Sequence, residues 1–560
     1  MNDSRQGRDL FLLLVLAGLL FCLNLGGMGL TDRDEGRNAE AGREMLETGD
    51  WISPTFNYEP RYAKPVFVYW LMSLSYHAFG VSEFAARFPS ALFAVALILM
   101  QYLFFAHLRG PVIGIFASLM LLVNLEMIGL GRAALTDSVL IFFTTLSLFG
   151  FWLGLHGSAA PALSPVEGLT TGGEGRMRHW MWAFYVGLAL ATLTKGPVGF
   201  LVPLLAIIPY LSLTKRWGQF WRTGLPLAGT ALCLLLTLPW YLAMLQIHGE
   251  DYFRNVQAHT IGRFLKPMEG HSFTLFFYIP VLFLGFFPWS GFLPAALYQT
   301  FKNVRRSTFD VEPSIREPRT SNLELELFAA IWLIGGFLFF TLSSTRLPHY
   351  IGPLFPAAAI LAASYWSRCL LDPKTPGTRA SIHLTMGLGF FLAAGFAAAP
   401  SLYAHFTDKI VSEFPWAAQI DLGSGPYIVS GLLLVGTTLV GYFGLNDAQR
   451  AGAFWAAGAT LAGVVLVALV VIFPRINQYV IAPPQELAYA AGLNLSPDDR
   501  LIVYGTTRPS TVFYARRKVI FIQRGEEEQL RRHSGQPGRT MILLQSRLRP
   551  QLPPETANYA

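Results

Sequence analysis

Residues 29–51, GLTDRDEGRNAEAGREMLETGDW, form a dense cluster of charged side chains directly after an apolar run over residues 10–29. Ala41 and Met45 are four residues apart, the spacing of one helix face, and this pattern predicts a helix over residues 34–48. Gly49 should end the helix, because glycine is the usual residue just beyond a helix end. We expect a short amphipathic helix that lies along the membrane surface.

The charges of this segment divide into three groups. The sequence TDRDE predicts a capping box, in which Asp32 caps the helix and Glu35 reaches back to its start. Three later residues are expected on the solvated face of the helix: Arg43, Glu44 and Glu47. Asp34 and Arg37 have neither explanation. They are therefore candidates for an active site, with a solvated surface charge as the alternative for each.

The composition indicates a membrane protein. Of the 560 residues, 53% are hydrophobic and 14% are charged, whereas soluble domains have about 25% charged residues. Apolar runs of about 20 residues, long enough to cross a bilayer as a helix, recur along the chain. We predict about thirteen spans, near residues 10–29, 88–107, 112–130, 136–156, 179–194, 197–213, 225–246, 275–299, 325–343, 348–366, 381–403, 426–445 and 453–473. The first is expected to be a retained helix rather than a cleaved signal peptide.

The distribution of Lys and Arg predicts the orientation of these spans. Alternate short loops are rich in Lys and Arg, which predicts that those loops and the N-terminus are cytoplasmic. The net charge of +7 is explained by this orientation and does not imply nucleic acid. The first long loop, residues 30–87, would lie on the opposite side. It nevertheless contains basic residues that break the rule and need another role: Arg33, Arg37, Arg43, Arg61, Lys64 and Arg87.

The C-terminal residues predict a small α/β domain on the same non-cytoplasmic side. From about residue 474 the pattern changes to short strands, DRLIVYG, KVIFIQ and TMILLQ, and to helices, PPQELAYAAGLN and PSTVFYAR. We therefore predict a transmembrane domain over residues 1–473 and a soluble domain over residues 474–560. The cytoplasmic stretch 157–178 is rich in Gly, Pro, Ala and Ser, and is predicted to be a flexible loop.

Basic and acidic residues follow the charged segment in the first long loop. Lys64 precedes a proline and an aromatic run that is too short to span, so it should lie at the bilayer interface. There it could extend its ammonium group into water or bind a lipid phosphate. Glu83 and Arg87, four residues apart, are expected to form an ion pair with a structural role.

Further polar residues occur where spans end on the same side of the membrane. Each has a simple alternative explanation as an interfacial anchor or a helix-terminal charge. Their joint placement on one face is what favours a site: Asp137, Lys195, His259, Arg263, Arg346 and His349. Converging cations suit a phosphate, and carboxylates suit general base work or cation binding. Because the walls must be apolar helix, a lipid-borne phosphate is the favoured ligand. The sequence contains no Walker loop, GxSxG, HExxH or zinc-type spacing.

These motifs resemble the GT-C class of integral membrane glycosyltransferases. The resemblance rests on DEGRNAEAGREMLETGDWISP, KPVFVYW, Asp137 at the start of the fourth span, LTKGP and the soluble C-terminal tail. It covers most of the chain and is strongest in the first long loop. Within the class, the sequence is most similar to the bacterial aminoarabinose transferases that modify lipid A, which are relatives of protein O-mannosyltransferases.

The resemblance implies an inverting transferase of the bacterial inner membrane, with its active site and C-terminal domain in the periplasm. Its donor would be undecaprenyl phosphate-linked 4-amino-4-deoxy-L-arabinose, and its acceptor lipid A, a modification associated with resistance to polymyxin and cationic peptides. It implies catalytic roles for Asp34, Asp137 and Lys64, and donor-phosphate binding by Lys64, Arg37, Arg263, Lys195 and Arg346. Glu35, His259 and His349 are further candidates. Asp34 would act as base, or would orient the donor or a cation; a divalent cation and a monomeric state are additional expectations.

Two other functions are open on the sequence alone. The first is transfer of mannose or another hexose from a polyprenyl phosphate to protein or polysaccharide, because the loop motif is shared across the class. The second is a transporter or lipid flippase. A transporter should have polar groups near the bilayer midplane on broken helices in repeated halves, and neither feature is apparent in the sequence.

Overall fold

A computed structural model describes residues 2–157, 172–265, 274–309, 321–413 and 420–552. Residues 158–171 of the predicted flexible loop 157–178 lie outside this part, and the prediction was wrong for residues 172–178, which form the start of a helix, Gly172–Lys195. The α-helices are α1 Asn2–Cys22, α2 Asp34–Thr48, α3 Phe67–Phe79, α4 Glu83–Arg109, α5 Pro111–Leu122, α6 Leu125–Gly131, α7 Asp137–His156, α8 Gly172–Lys195, α9 Pro197–Thr214, α10 Trp217–Thr223, α11 Pro226–Gln257, α12 Arg263–Leu265, α13 Tyr278–Gly285, α14 Leu293–Phe309, α15 Ser321–Leu342, α16 Phe355–Leu371, α17 Thr378–Glu413, α18 Gly425–Leu445, α19 Ala451–Val467, α20 Phe473–Ile476, α21 Ala482–Asn494, α22 Ser510–Ala515 and α23 Glu527–Ser534. The strands are β1 Thr55–Phe56, β2 Glu59–Pro60, β3 Arg500–Tyr504, β4 Val519–Ile522 and β5 Thr540–Leu544.

The predicted polytopic helical architecture is confirmed. Among the described residues, nine helices are long and apolar enough to cross a membrane, or eleven if each of two bent helix pairs counts as one span. The two remaining predicted spans, 10–29 and 179–194, fall on α1 and α8. One large apolar core joins residues from α1 through α19.

Two predicted spans are bent rather than straight. Residues 112–130 form α5 and α6, which meet at 69°, and residues 275–299 form two helices that meet at 112°. The second bend lies at Pro288, which has no backbone N–H to continue the hydrogen-bond ladder of α13. Residues 275–299 therefore form a broken span or a re-entrant loop rather than one straight helix.

The first long loop contains the predicted helix, but three expectations about its charges were wrong. α2 covers Asp34–Thr48 and ends at Gly49, whose φ of 72° is the left-handed conformation that glycine adopts without strain. The cap predicted at Asp32 does not form, because the residue before the helix is Arg33, whose side chain makes no capping hydrogen bond. Glu35 does reach back beyond the helix start, where its carboxylate accepts from the Thr31 backbone N–H at 2.8 Å. Asp32 instead accepts hydrogen bonds from the backbone and hydroxyl of Ser510, at 2.8 and 3.0 Å.

The expected solvated face of α2 is largely buried. Arg43 is 6% exposed and donates two 2.8 Å hydrogen bonds to Glu40, and Glu44 is fully buried. The turn between β1 and β2 covers this face, where the Tyr58 backbone N–H donates to the Glu44 carboxylate at 3.1 Å. Only Glu47 is exposed, although it still pairs with Arg43. The prediction of a solvated face failed because the residue spacing of α2 does not reveal the β1–β2 hairpin that covers it.

Arg87 also has a different partner from the one expected. It pairs with Glu35 of α2 at 2.9 Å instead of with Glu83. Its guanidinium further donates to the backbone carbonyls of Leu25, Met28 and Gly29. Arg87 thereby ties α4 to the segment that joins α1 and α2. Glu83, one helical turn away on α4, accepts instead from the Tyr514 hydroxyl at 2.8 Å.

The C-terminal strands and helices are found where the sequence predicts them. β3, β4 and β5 form a parallel sheet in the order β4-β3-β5. The helical run that begins at Ala451 extends to Asn494, so the domain boundary at 474 lies within helix and stays a prediction. The domain packs on the first long loop: α22 lies against α2, and Asn57 exchanges two 2.8 Å hydrogen bonds with the backbone of Val519.

Candidate functional site

Helix ends converge on one polar cavity of about 480 Å³. α2 and α7 begin here, α8 ends here, and the turn Pro348–Leu354 leads from here into α16. Gly196, with φ of 66°, allows the tight reversal from α8 into α9 that presents Lys195. The lining contains seven of the predicted site residues: Asp34, Glu35, Arg37, Lys64, Lys195, His259 and His349.

Asp34 and Lys64 are the central charged pair of the cavity. Asp34 is the first residue of α2, and Lys64 lies just before α3. The Lys64 ammonium lowers the pKa of Asp34 below its usual value, with partial burial opposing it. Burial lowers the pKa of Lys64 to about 8, and the Asp34 carboxylate opposes that shift. Within the described part of the chain, neither side chain is held by a hydrogen bond, so both remain available to a ligand.

Asp137 and Lys195 form a second pair in the wall of the site. The Lys195 ammonium donates to the Asp137 carboxylate at 2.6 Å, and Asp137 is 1% exposed. Lys195 also lies 5.1 Å from the ring centroid of Tyr350. Asp137 is not itself a lining residue. Its position suits holding Lys195 in place, whereas Lys195 faces the cavity.

An apolar cavity of about 470 Å³ adjoins the polar one. Leu140, Leu201, Phe264 and Phe339 are among its walls, and the Phe264 and Phe339 rings stack with centroids 5.5 Å apart. Five residues line both cavities: Lys64, Lys195, His259, Thr345 and Tyr350. Lys64 and Lys195 thus lie where the polar cavity meets the apolar cavity. This arrangement suits a phosphate that is attached to a long apolar chain.

Glu35 lines the cavity, but its carboxylate is already saturated. It accepts two hydrogen bonds from Arg87, one from the backbone of Ala134 at 2.7 Å, and two from Thr31. Despite full burial, these partners hold the pKa of Glu35 below its usual value. Glu35 therefore has the contacts of a structural residue.

Two predicted phosphate ligands, Arg346 and Arg263, are not among the described lining residues of the cavity. Arg346 donates to the carbonyl of Thr341 at 2.9 and 3.2 Å, at the end of α15, and does not line either cavity. The side chain of Arg263 lies outside the described residues. The roles of both residues stay predictions.

Arg61 and Tyr350 line the cavity, although neither is predicted as a site residue from the sequence. Arg61 is oriented by the Tyr69 hydroxyl at 3.0 Å and by the Asn38 side chain at 3.2 Å. Its presence in the first long loop against the orientation rule was the signal that could have identified it. Tyr350 directly follows His349, but nothing in the sequence distinguishes it from an interfacial aromatic residue.

The described residues contain no group of three or more His, Cys, Asp and Glu side chains arranged to hold a metal ion. The predicted divalent cation is thus left without a pre-formed cluster in that part of the chain.

Comparisons with known proteins identify relatives over most of the chain. Residues 10–253 match the family described as dolichyl-phosphate-mannose-protein mannosyltransferase. The chain is 31% identical over 413 residues to the undecaprenyl phosphate-alpha-4-amino-4-deoxy-L-arabinose arabinosyl transferase of Edwardsiella ictaluri, covering 72% of this chain and 68% of the relative. The enzyme of the same description from Pseudomonas aeruginosa strain UCBPP-PA14 is 30% identical over 410 residues, covering 72% and 67%.

The fold is also that of a solved structure. The crystal structure of ArnT from Cupriavidus metallidurans bound to undecaprenyl phosphate superimposes with a TM-score of 0.72. The match covers 97% of this chain and 95% of that one, at 22% sequence identity. This likeness shows that the predicted GT-C fold is correct over nearly the whole molecule.

Proposed function

Because the chain belongs to the family of undecaprenyl phosphate-alpha-4-amino-4-deoxy-L-arabinose arabinosyl transferases, we propose that it transfers this aminosugar from undecaprenyl phosphate to a phosphate of lipid A. It is a multi-pass membrane glycosyltransferase. We place the active site and the C-terminal domain on the periplasmic side of the inner membrane, and we propose that the protein acts as a monomer. Family membership disfavours the transporter hypothesis, since the relatives are transferases.

The observation that carries this proposal is the junction of the two cavities. The polar cavity has room for a sugar, and the adjoining groove offers an apolar surface for a polyprenyl chain. Lys64 and Lys195 lie at the boundary, where the phosphate of such a donor would be. Lysine acts as a point charge that binds phosphate oxygens.

The proposed reaction is a single displacement at the anomeric carbon. An oxygen of the lipid A phosphate forms the new bond to this carbon, while the bond to the donor phosphate oxygen breaks. The electron pair of that bond leaves with undecaprenyl phosphate, and Lys64 and Lys195 stabilise the charge that develops there. The configuration at the anomeric carbon is inverted.

Asp34 is proposed to orient the donor rather than to remove a proton. A lipid A phosphate is ionised near neutral pH, so its attacking oxygen carries little proton for a base to take. Asp34, with its lowered pKa, is itself ionised over the same range. An anionic carboxylate in the polar cavity suits binding of the ammonium group of the aminosugar, or of a divalent cation that accompanies the donor.

A second candidate is transfer of mannose or another hexose to protein or polysaccharide. The match of residues 10–253 to the mannosyltransferase family favours this alternative, because that range contains the first long loop. It predicts a different acceptor and no requirement for an amino group on the sugar.

Mass spectrometry of lipid A distinguishes the two candidates. Cells that express the chain should contain lipid A heavier by one aminopentose per modified phosphate, and cells that lack it should not. Purified protein supplied with the aminosugar donor and lipid A should form the same product. Unchanged lipid A together with a hexose added to protein or polysaccharide would favour the alternative.

A further inference from the structure

The C-terminal domain contains a crevice that the proposed chemistry does not use. It has a volume of about 640 Å³ and lies between the ends of β3 and β5 and the helical segment 478–487. We call it the domain crevice. The residues that matter for its chemistry are Thr506, Arg508, Thr511, Gln545, Ser546 and Arg547.

The sheet topology explains why a crevice opens at this place. In the order β4-β3-β5, the chain leaves β3 towards β4 on one side and later returns to pair β5 on the other. The connection that leaves β3 turns away from β5, above the carboxyl ends of these two neighbouring parallel strands. Open α/β sheets bind their ligands outside the carboxyl ends of the strands. Residues at the ends of β3 and β5 and just after them form two walls of the crevice, and the helical segment 478–487 forms another.

The lining of the domain crevice suits an anion. It includes Arg508 and Arg547 but, among the described residues, no Asp or Glu. Arg547 is oriented by a 2.9 Å hydrogen bond from its Nε atom to the Gln545 side chain. Two arginines with neighbouring hydroxyl groups are a favourable set for a phosphate, which guanidinium groups bind through paired hydrogen bonds.

One wall of the domain crevice is apolar and belongs to the helix that follows the last span. Pro483, Pro484 and Leu487 lie on this wall. The helical run that contains them is continuous with the membrane-spanning residues that begin at Ala451. A ligand in the crevice would therefore contact an apolar surface that leads towards the bilayer. This favours an amphipathic ligand over a wholly water-soluble one.

A short segment separates the domain crevice from the polar cavity, where we place catalysis. Arg508 and Thr511 line the crevice, whereas Ser510 between them donates two hydrogen bonds to Asp32. Asp32 lines the catalytic cavity, two residues before Asp34. The two cavities thus lie on either side of residues 508–511.

We propose that the domain crevice binds a phosphate of the acceptor glycolipid and so presents the acceptor to the catalytic cavity. This inference rests on the proposed function, because it names the binding site of the same acceptor. Arg508 and Arg547 bind the phosphorylated headgroup, and the apolar helical wall accompanies the lipid from the bilayer. The residues act in acceptor binding and do not take part in bond making or breaking.

The test compares two double variants that remove the same charge from the same domain. Arg508→Ala with Arg547→Ala changes the crevice, and Arg531→Ala with Arg532→Ala changes exposed residues of α23 that do not line it. Initial transfer rates are measured with full-length purified protein over a range of concentrations of lipid A that carries both phosphates. The crevice variant should raise KM for lipid A roughly ten-fold or more, because two charged hydrogen-bond partners are lost. Its kcat at saturating lipid A and its KM for the donor should match those of the control.

Three results would overturn the proposal. The first is a KM for lipid A in the crevice variant equal to that of the α23 variant. The second is binding of inorganic phosphate alone that depends on Arg508 and Arg547 while KM for lipid A is unchanged, which would assign the crevice to a free phosphate ligand. The third applies if the wild-type protein transfers no sugar to lipid A, so that the proposed function fails. Lipid A binding in detergent is then compared directly, and equal binding by both double variants excludes the crevice site.

Discussion

Asp34 and Glu35 are neighbours in the sequence and have opposite environments. Glu35 accepts five hydrogen bonds, from Arg87, Ala134 and Thr31, and is 3% exposed. The Asp34 carboxylate has no hydrogen-bond partner in the described part of the chain, and Asp34 lines the cavity near Lys64. A buried carboxylate whose oxygens all accept hydrogen bonds from the protein has a structural role. A carboxylate beside a cavity that accepts none can bind a ligand.

The same contrast divides the later charges of the first long loop. Arg43 binds Glu40, Glu47 and the Tyr58 hydroxyl, and these contacts join α2 to the hairpin that covers it. Lys64 carries its charge at the boundary of the polar and apolar cavities instead. Density of charge alone therefore does not identify the site. The structure distinguishes charged residues that stabilise the first long loop from those that can contact a ligand.

The largest expected effect is on catalysis by Asp34→Asn. The amide has the same shape but lacks the negative charge that we assign to orienting the donor. We expect transfer to fall roughly 10³-fold, the scale of losing one preorganised electrostatic group. The measurement is the initial rate of aminosugar transfer to lipid A by purified protein. Asp50→Asn is the control, since Asp50 lies beyond the end of α2 and does not line the cavity.

Lys64→Ala should reduce transfer by roughly 10²-fold or more, because a cation at the leaving phosphate is lost. The wild-type pH profile provides a sharper test. Burial brings the pKa of Lys64 to about 8, so kcat/KM should fall as the pH rises above about 8. Lys64→Arg should keep its charge and move this fall to higher pH. If kcat/KM of Lys64→Arg falls at the same pH as that of the wild type, Lys64 is not the group that titrates.

Glu35→Gln should act on stability. The substitution leaves the buried Arg87 without its counter-charge, and breaking a buried ion pair costs about 3–5 kcal/mol. The thermal unfolding midpoint of the detergent-solubilised protein should therefore fall well below that of the wild type, whereas Asp34→Asn should match the wild type. Equal midpoints for the two variants would remove the distinction between saturated and unsaturated carboxylates.

The smallest expected effect concerns Glu44. Burial, together with the neighbouring Glu40 carboxylate, raises the pKa of Glu44 to about 7. A carboxyl group whose pKa is raised by folding binds its proton more tightly in the folded state, so its contribution to stability decreases as the pH rises from about 4.5 to 7. Glu44→Gln should flatten the dependence of the unfolding midpoint on pH in this window. The wild-type slope persisting in the variant would show that another group titrates there.

Much of the fold follows from local sequence patterns. Hydrophobic run lengths place the spans, helical spacing and Gly49 set the bounds of α2, and the three C-terminal strands stand out by their apolar residues. The convergence of Lys64, Lys195 and His349 was also predictable. Alternation of spans places their loops on one face whatever the details of packing.

The pairing of charges was not predictable in the same way. Arg87 selects Glu35, 52 residues away, over Glu83 in its own helix. Burial of Arg43 depends on a hairpin, and Arg346 turns to the carbonyl of Thr341 rather than to the cavity. Each outcome depends on contacts between segments that are distant in sequence or on a turn conformation, and neither is encoded in residue spacing. The domain crevice likewise needs the order of strands in the sheet, which spacing does not reveal.

The most direct test of this division is the transfer rate per folded molecule of Asp34→Asn and Glu35→Gln. Both variants are measured side by side, at a temperature where each is folded. We predict that Glu35→Gln keeps a rate close to that of the wild type and that Asp34→Asn loses nearly all transfer. Comparable losses in the two variants, or a near-normal rate for Asp34→Asn, would contradict the account.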